Sequence, residues 1–282
     1  MTNPIVDPLV EGPDTNTLSD LVVVEATAAG AVTVTLNPPD RRNAFNAELI
    51  AALAETFETL HTQDGVRVVF LRGAGGVFSA GADLEWMAAA VEYSEKENRD
   101  DAFALARMLK LLRDIPALTV ALVEGAAFAG ATGLVSACDL AVATAEAKFS
   151  FSEVRLGLVP ATISPYVIEA IGPRHARALF TTARIFDAAH AERIGLVTEV
   201  VADGEALAAA KTRIAREAMA CGPEAVADSK KLVGDVAFRR IDHDLMDETA
   251  RRIARARIRD EGREGVRAFL DKRKPSWTQG PT

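Results

Sequence analysis

The chain has few residues that could form cross-links or hold a metal ion. It contains only two cysteines, Cys138 and Cys221, which lie far apart and outside any CxxC motif. This excludes a disulfide scaffold or a thiolate zinc site and is typical of a reducing compartment, so we expect a cytoplasmic protein. The four histidines are scattered and form no HExxH motif, so no metal site is expected.

The sequence also lacks the segments that direct a chain to or through a membrane. Its first twenty residues hold no Lys or Arg, which predicts neither a secretory nor a transit leader. The longest apolar tract, residues 125–138, is too short to span a bilayer. We expect no membrane association, and residues 1–18 are interpreted as a flexible arm.

Composition limits the classes of ligand. Hydrophobic residues make up 49% of the chain and charged residues 26%, which is typical of a globular protein with a substantial core. The net charge of −8 argues against nucleic-acid binding, which needs a surplus of Lys and Arg. Residues 251–274 are an exception, with ten basic and four acidic residues, so an anionic small molecule remains possible.

The order of the hydrophobic patterns predicts an α/β protein. Strand-like runs alternate with helical periodicity up to about residue 203, and the remaining residues read as helices. We therefore predict a core over residues 19–203 and a helical region over 204–282. The polar residues 92–101 are predicted to form a loop.

Familiar nucleotide and hydrolase motifs are absent. The segment Gly73–Phe78 follows a strand-like run, but Phe78 stands where a GxGxxG motif requires glycine. No P-loop and no GxSxG elbow occurs. A candidate site must therefore consist mainly of backbone groups and carboxylates.

Two segments share one design, a buried-type strand followed by small residues and a helix start. They are residues 66–84 and 118–134. If the two strands are neighbours, two free N–H groups could converge on one oxygen, as in an oxyanion hole. The alternative is that the small residues only allow close packing of strand and helix.

Motifs along the chain resemble the enoyl-CoA hydratase/isomerase (crotonase) family. They are RRNAFN (41–46), FSAGADLEWM (78–87), GAAFAGATGLVSACDLAVA (125–143), FSFSEVRLGLVPA (149–161) and AFLDKRKPSW (268–277). The resemblance covers roughly residues 20–277. It implies a spiral of ββα units with a C-terminal helical trimerisation region, and a homotrimer or a dimer of trimers.

The resemblance also implies site residues for an acyl-CoA thioester. The two amides that bind the thioester oxygen would be those of Ala82 and Gly130. The implied contacts to the CoA ester are Arg42, Ala44, Ala80, Asp83, Leu84, Gly133, Phe269 and Lys272 or Lys274. Asp83 has a second interpretation as the N-cap of the next helix. No cofactor is implied, because coenzyme A is part of the substrate.

The family's hydratases use two glutamates, and this sequence retains one of them. Glu153 matches the second and is expected to act as a general acid or base, with surface pairing to Arg155 as the alternative. Gly133 stands where the first glutamate is found. A two-glutamate mechanism therefore cannot be assumed.

Three functions remain open at this point. The first is hydration of a 2-enoyl-CoA by Glu153 alone, with water held by other groups. The segment 157–172 resembles a branch that acts on branched or carboxylated esters such as methylglutaconyl-CoA. The second is a Δ3,Δ2-enoyl-CoA isomerase, which needs a single carboxylate. The third is a catalytically weak acyl-CoA-binding protein.

Overall fold

The computed structural model of the protein describes residues 14–278. The strands are β1 Asp14–Ser19, β2 Val22–Ala26, β3 Ala31–Leu36, β4 Val68–Gly73, β5 Leu118–Val123, β6 Ala126–Phe128, β7 Leu140–Thr144, β8 Lys148–Ser150, β9 Phe186–Asp187 and β10 Glu199–Val201. The helices are α1 Ala47–Thr62, α2 Leu84–Ala90, α3 Glu95–Asp114, α4 Gly130–Ala137, α5 Ser164–Thr182, α6 Ala188–Ile194, α7 Gly204–Ala220, α8 Pro223–Val236, α9 His243–Ile258 and α10 Asp260–Leu270.

The strands form two sheets. The larger has the order β1-β2-β3-β4-β5-β7-β10, antiparallel from β1 to β3 and parallel from β3 to β10. The smaller has the order β6-β8-β9, in which β6 and β8 are parallel. The fold is α/β, as the sequence predicted, and several helices follow the last strand.

Strand β4 shows why the central strands are continuously apolar. Val69 and Leu71 pack into one cluster with helices α1, α3, α4 and α5. Val68 and Phe70 face the other side and pack against α7. Because successive side chains of a strand point to opposite faces, a sheet covered on both faces needs apolar residues at every position.

Several helices begin after a residue whose side chain accepts a hydrogen bond from the first turn. The side chain of Asn46 accepts a hydrogen bond from Leu49 N at 2.8 Å and begins α1. The predicted loop over residues 92–101 is wrong, because α3 already begins at Glu95. Ser94 and Glu97 form a reciprocal capping box there, which satisfies two backbone N–H groups.

The N-terminal arm predicted over residues 1–18 is partly structured. Asp14–Ser19 form β1 and pair with β2, whereas residues 1–13 lie outside the described residues.

The predicted boundary at residue 203 falls between β10 and α7. Helix α7 packs on the large sheet, while α10 packs mainly on α9 and α8. Within residues 14–278, no helix combines the length and apolar character needed to cross a membrane.

Candidate active site

The two segments of shared design lie side by side. Strands β4 and β5 are parallel neighbours, and the chain segments beyond them continue to pair. Phe78 N donates to Glu124 O at 2.8 Å, Ser79 N donates to Ala126 O at 2.9 Å, and Phe128 N donates to Ser79 O at 3.2 Å. The two strands are therefore neighbours, which is the condition under which the N–H groups of the two small-residue segments could converge.

The pairing brings Ala82 and Gly130 to equivalent positions. Ser79 and Ala127 form a parallel bridge, and Ala82 and Gly130 each follow it by three residues. Gly130 is the first residue of α4, where N–H groups have no partner inside the helix. Across residues 14–278, neither Ala82 N nor Gly130 N donates a hydrogen bond.

Phe45 joins the surroundings of these two amides. Its N donates to Gly81 O at 2.7 Å and its O accepts from Asp83 N at 2.8 Å, so its backbone pairs with both neighbours of Ala82. Its ring lies 3.6 Å from the position that a Cβ on Gly130 would take. Ala82 and Gly130 therefore flank one buried phenylalanine.

Glu153 emerges at the same edge as Gly130. Strands β6 and β8 are parallel, with Phe128 paired to Ser150, so the residues that follow both strands leave together. Glu153 begins a short 3-10 turn, and its buried Oε2 has no hydrogen-bond partner among residues 14–278. Burial raises the pKa of Glu153 above its usual value, because the charged form loses solvation.

The alternative of a surface pair between Glu153 and Arg155 is wrong. Arg155 Nη2 instead donates to the carbonyl oxygen of Ala183 at 2.8 Å. Glu153 is therefore a half-buried residue with one buried carboxyl oxygen, and no cation pairs with it in the described part of the chain. A carboxyl group whose pKa is raised by burial is a candidate for a general acid or base.

Gly133 lies in a position that has no room for a side chain. A Cβ atom there would lie 2.4 Å from Ile163 Cγ2 and 3.5 Å from Leu109 Cδ1. Ile163 is 1% exposed, so it cannot move aside into solvent. The position of the missing glutamate is thus filled by an apolar side chain from another part of the chain.

Most of the predicted CoA-contact residues lie on two paired segments. Ala80 N donates to Arg42 O at 3.0 Å, and Arg42 adopts a left-handed backbone with φ 53°. Ala44 lies between Arg42 and the Phe45 bridge, and Leu84, 79% exposed, begins α2. The structure therefore brings Arg42, Ala44, Ala80 and Leu84 close to Ala82.

Asp83 is the N-cap of α2. Its Oδ1 accepts from Trp86 N at 3.2 Å and Glu85 N at 2.9 Å, and its Oδ2 lies 3.2 Å from Arg41 Nη1. These backbone hydrogen bonds, that from Trp86 first, lower the pKa of Asp83. The capping interpretation is confirmed, and the role of Asp83 toward CoA stays a prediction.

Phe269 and Lys272 lie apart from the other predicted residues. Phe269 is on α10 and 83% exposed, and Lys272 follows that helix with φ 54°. Helix α10 packs mainly on α9 and α8, which are not among the elements that carry Ala82 and Gly130. Their predicted contact with CoA is untested.

Three further residues that shape this region were not predicted from the sequence. Asn43, fully buried, donates from Nδ2 to Ala74 O at 2.9 Å and Val77 O at 2.7 Å. Thr132 bonds to the residue before Gly130, and Ile163 fills the space beside Gly133. A polar residue inside an apolar tract was the only available signal for Thr132.

Among residues 14–278, no cluster of three or more His, Cys, Asp or Glu side chains could hold a metal ion.

Comparisons with known proteins give one answer. The family model described as enoyl-CoA hydratase/isomerase matches residues 26–280. An Alternaria alternata protein, enoyl-CoA hydratase ACTT6, is 32% identical over 254 residues, covering 89% of this chain and 82% of its own.

Solved structures agree. An enoyl-CoA hydratase from Shewanella pealeana has a TM-score of 0.87 and 36% identity, covering 91% of this chain and 96% of its own. Pseudomonas aeruginosa AtuE has a TM-score of 0.88 and 37% identity, covering 92% of this chain and all of its own. With two parallel small-residue segments, free amides at their ends and this match over most of its length, the chain belongs to the enoyl-CoA hydratase/isomerase family.

Proposed function

We propose that the protein hydrates a 2-enoyl-CoA thioester, using Glu153 as its only catalytic carboxylate. The observation that carries this proposal is the pair of N–H groups of Ala82 and Gly130, which lie at equivalent positions of two paired segments and have no partner in the described part of the chain. Several relatives named enoyl-CoA hydratase support the reaction class.

The two amides would bind the thioester oxygen of the substrate. When a nucleophile adds to C3, charge moves onto this oxygen, and two fixed N–H donors stabilise the resulting enolate. Removing one such donor typically lowers the rate by about 10²–10³-fold. The amides need no proton transfer, so that task falls to a side chain.

Glu153 would supply both proton transfers. Its carboxylate accepts a proton from water while the water oxygen bonds to C3, and the C2–C3 π electrons move into the enolate. The protonated Glu153 then returns the proton to C2, and the thioester carbonyl re-forms. The product gains one OH and one H, and Glu153 regains its starting state. The raised pKa of Glu153 suits both roles.

A second candidate is the Δ3,Δ2-enoyl-CoA isomerase. The observation that favours it is the position of Ile163, which occupies the space that a side chain at position 133 would need. No room is left there for a second carboxylate. One carboxylate is sufficient to remove a proton from C2 and deliver it to C4. Both reactions pass through the same bound enolate.

An absorbance assay separates these functions. Purified protein is incubated with crotonyl-CoA, 3-methylglutaconyl-CoA and a 3-enoyl-CoA, and the absorbance of the conjugated thioester is followed. Loss with either of the first two supports hydration, and a gain with the third supports isomerisation. Binding without any change would support the catalytically weak acyl-CoA-binding protein instead.

A matched pair of variants tests the role of Glu153. Glu153→Gln should abolish turnover in either enzyme while CoA-ester binding is retained. Glu146→Gln changes an exposed carboxylate in the preceding turn and should leave the rate unchanged. Full activity of Glu153→Gln would overturn the assignment.

The acyl group is proposed to be branched or glutaconyl-type, on the basis of the resemblance of residues 157–172 alone. A kcat/KM for 3-methylglutaconyl-CoA at least tenfold above that for crotonyl-CoA would support this choice. Equal values would contradict it.

We also propose a homotrimer, or a dimer of trimers, in which the C-terminal helices meet a neighbouring subunit. Apolar side chains on α9 and α10 support this, because they are largely exposed in the single chain: Ile253, Ile258, Val266, Phe269 and Leu270. Phe269 and Lys272 would then reach the CoA ester of a neighbour. Light scattering after gel filtration tests the assembly.

The free thiols of Cys138 and Cys221 suit a cytoplasmic setting.

A further inference from the structure

The peptide between Ala129 and Gly130 is held by one residue, through both its backbone and its side chain. The carbonyl oxygen of Ala129 accepts two hydrogen bonds from Thr132, from its N at 2.9 Å and from its Oγ1 at 2.5 Å. In a planar trans peptide the C=O and N–H bonds point in opposite directions. Whatever fixes the carbonyl of Ala129 therefore also fixes the direction of the Gly130 N–H.

Ala129 adopts a backbone conformation that alanine does not favour. Its φ is 48° and its ψ is −120°, a combination that suits glycine. A half-turn of the following peptide would bring ψ to about 60° and place Ala129 in the left-handed helical region, which alanine tolerates better. The same rotation would turn the Gly130 N–H away from the site.

The other side of Ala129 is anchored. Its N donates to Ser150 O at 2.9 Å, in continuation of the pairing between β6 and β8. The remaining freedom is rotation of the peptide that carries the Gly130 N–H. Only the observed orientation allows the Thr132 hydroxyl to bond the Ala129 carbonyl.

We propose that Thr132 is a positioning residue that holds the Gly130 amide in its active orientation against a flip of this peptide. The inference rests on the proposed function of that amide. Thr132 is fully buried, so water does not compete for its hydroxyl. It acts through Gly130 and does not itself contact the thioester.

A purely structural role is the competing explanation, because Thr hydroxyls often bond to a carbonyl three or four residues earlier. Ser136 provides a matched control on the same helix. It is 5% exposed, and its Oγ donates to Thr132 O at 2.7 Å. Ser136→Ala removes a buried helix hydroxyl that is not bonded to the Ala129 peptide.

Kinetics separate the two explanations. Thr132→Val should lower kcat about tenfold. This is the effect expected when one buried hydrogen bond no longer favours the active orientation of the Ala129–Gly130 peptide over the flipped one. KM should change little, and Thr132→Ser should restore kcat. Ser136→Ala should lower Tm about as much as Thr132→Val does, but it should leave kcat near the wild-type value. Wild-type kcat in Thr132→Val, or an equal kcat loss in Ser136→Ala, would overturn the proposal.

A second substitution tests the flip itself. Ala129→Gly removes the preference for the flipped state, because glycine adopts the observed combination of φ 48° and ψ −120° about as readily as the left-handed helical region. In this background Thr132→Val should lower kcat less than threefold, and an undiminished tenfold loss would contradict the mechanism.

Infrared spectroscopy gives a readout that needs no turnover. Bound butyryl-CoA labelled with ¹³C at the thioester carbonyl should show a stretch shifted to lower frequency in the wild type, and less so in Thr132→Val. If the wild type hydrates no enoyl ester but this difference is present, the proposed reaction fails and the role of Thr132 stands. If both proteins show the same shift, the role of Thr132 fails whatever the reaction.

Discussion

A Cβ atom on Gly133 would lie 2.4 Å from Cγ2 of Ile163, closer than carbon atoms approach in folded proteins. Gly133 lies in the middle of α4, and Ile163 immediately precedes α5. The two helices can therefore pack closely only because one position has no side chain. The glycine in place of a glutamate is a packing residue in this fold.

Gly133→Ala should destabilise the protein by about 1–3 kcal/mol, the usual range for overpacking a core. Urea unfolding measures this directly. In an Ile163→Ala background the added methyl group has space, so the cost of Gly133→Ala should largely disappear. The double-mutant cycle should therefore show strong coupling between the two sites.

Gly234→Ala is the control for this substitution. Gly234 lies within α8, and a Cβ atom there would meet no heavy atom within 4 Å. Alanine should stabilise the helix at this position by about 0.5–1 kcal/mol. Equal effects at positions 133 and 234 would refute the steric account.

Local patterns predicted most of the fold. The apolar run Leu118–Val123 coincides with β5, and Asn46, a residue type that favours the N-cap, lies immediately before α1. The start of α3 was missed because its first turns are fully polar, although Ser94 and Glu97 have the spacing of a capping box. Polarity alone does not distinguish a solvated helix from a loop.

The candidate site could be predicted only where backbone groups form it. Small residues before a helix marked the segments that contain Ala82 and Gly130. The roles of Ile163 and Thr132 depend on contacts with distant residues or on the backbone angles of Ala129, and neither is encoded in a local pattern. The absence of the first family glutamate was visible as Gly133, but the packing of Ile163 against that position was not.

Glu153→Gln should make the protein more stable at pH 7. Burial raises the folded-state pKa of this carboxyl above its unfolded value of about 4.3. A group whose pKa is raised on folding contributes to the stability of the folded protein at pH values below its unfolded-state pKa. This contribution is lost as the pH rises through the folded-state pKa. The ionised glutamate is therefore unfavourable at neutral pH, and glutamine removes that cost.

Thermal unfolding at pH 7 and near pH 4 tests this sign. The Tm of Glu153→Gln should exceed that of the wild type at pH 7, and the difference should shrink near pH 4, where the wild-type carboxyl is protonated. Glu146→Gln, at an exposed site, should change little at either pH. A lower Tm for Glu153→Gln at pH 7 would mean that the ionised carboxylate has a stabilising partner.

Asn43→Ala should destabilise the protein by about 2 kcal/mol, because it leaves two partly buried carbonyls, those of Ala74 and Val77, without a donor. The measurement is denaturant unfolding. Asn98→Ala is the matched control, since its amide also bonds backbone carbonyls but at an exposed site, and water can replace it. A cost at Asn43 no larger than at Asn98 would show that the carbonyls find other partners.

Arg67→Ala should release the C-terminal end of the chain from the sheet. Arg67 Nη1 donates to Trp277 O at 3.3 Å, and Nη2 donates to Cys221 O at 2.5 Å and to Met219 O at 3.4 Å. A guanidinium that satisfies the last carbonyls of a helix also interacts favourably with its dipole, so we expect a loss of about 2 kcal/mol.

Tryptophan fluorescence and limited proteolysis test this release. The chain has two tryptophans, so a Trp86→Phe background reports on Trp277 alone. In Arg67→Ala its emission should shift to longer wavelength, and cleavage after the C-terminal basic residues should accelerate. Arg107→Ala, which removes an exposed pair with Glu58, should cost at most about 1 kcal/mol and leave Trp277 emission unchanged. If Arg67→Ala leaves emission and cleavage at wild-type values, the indole bond from Trp277 Nε1 to Ala220 O is sufficient to hold the tail.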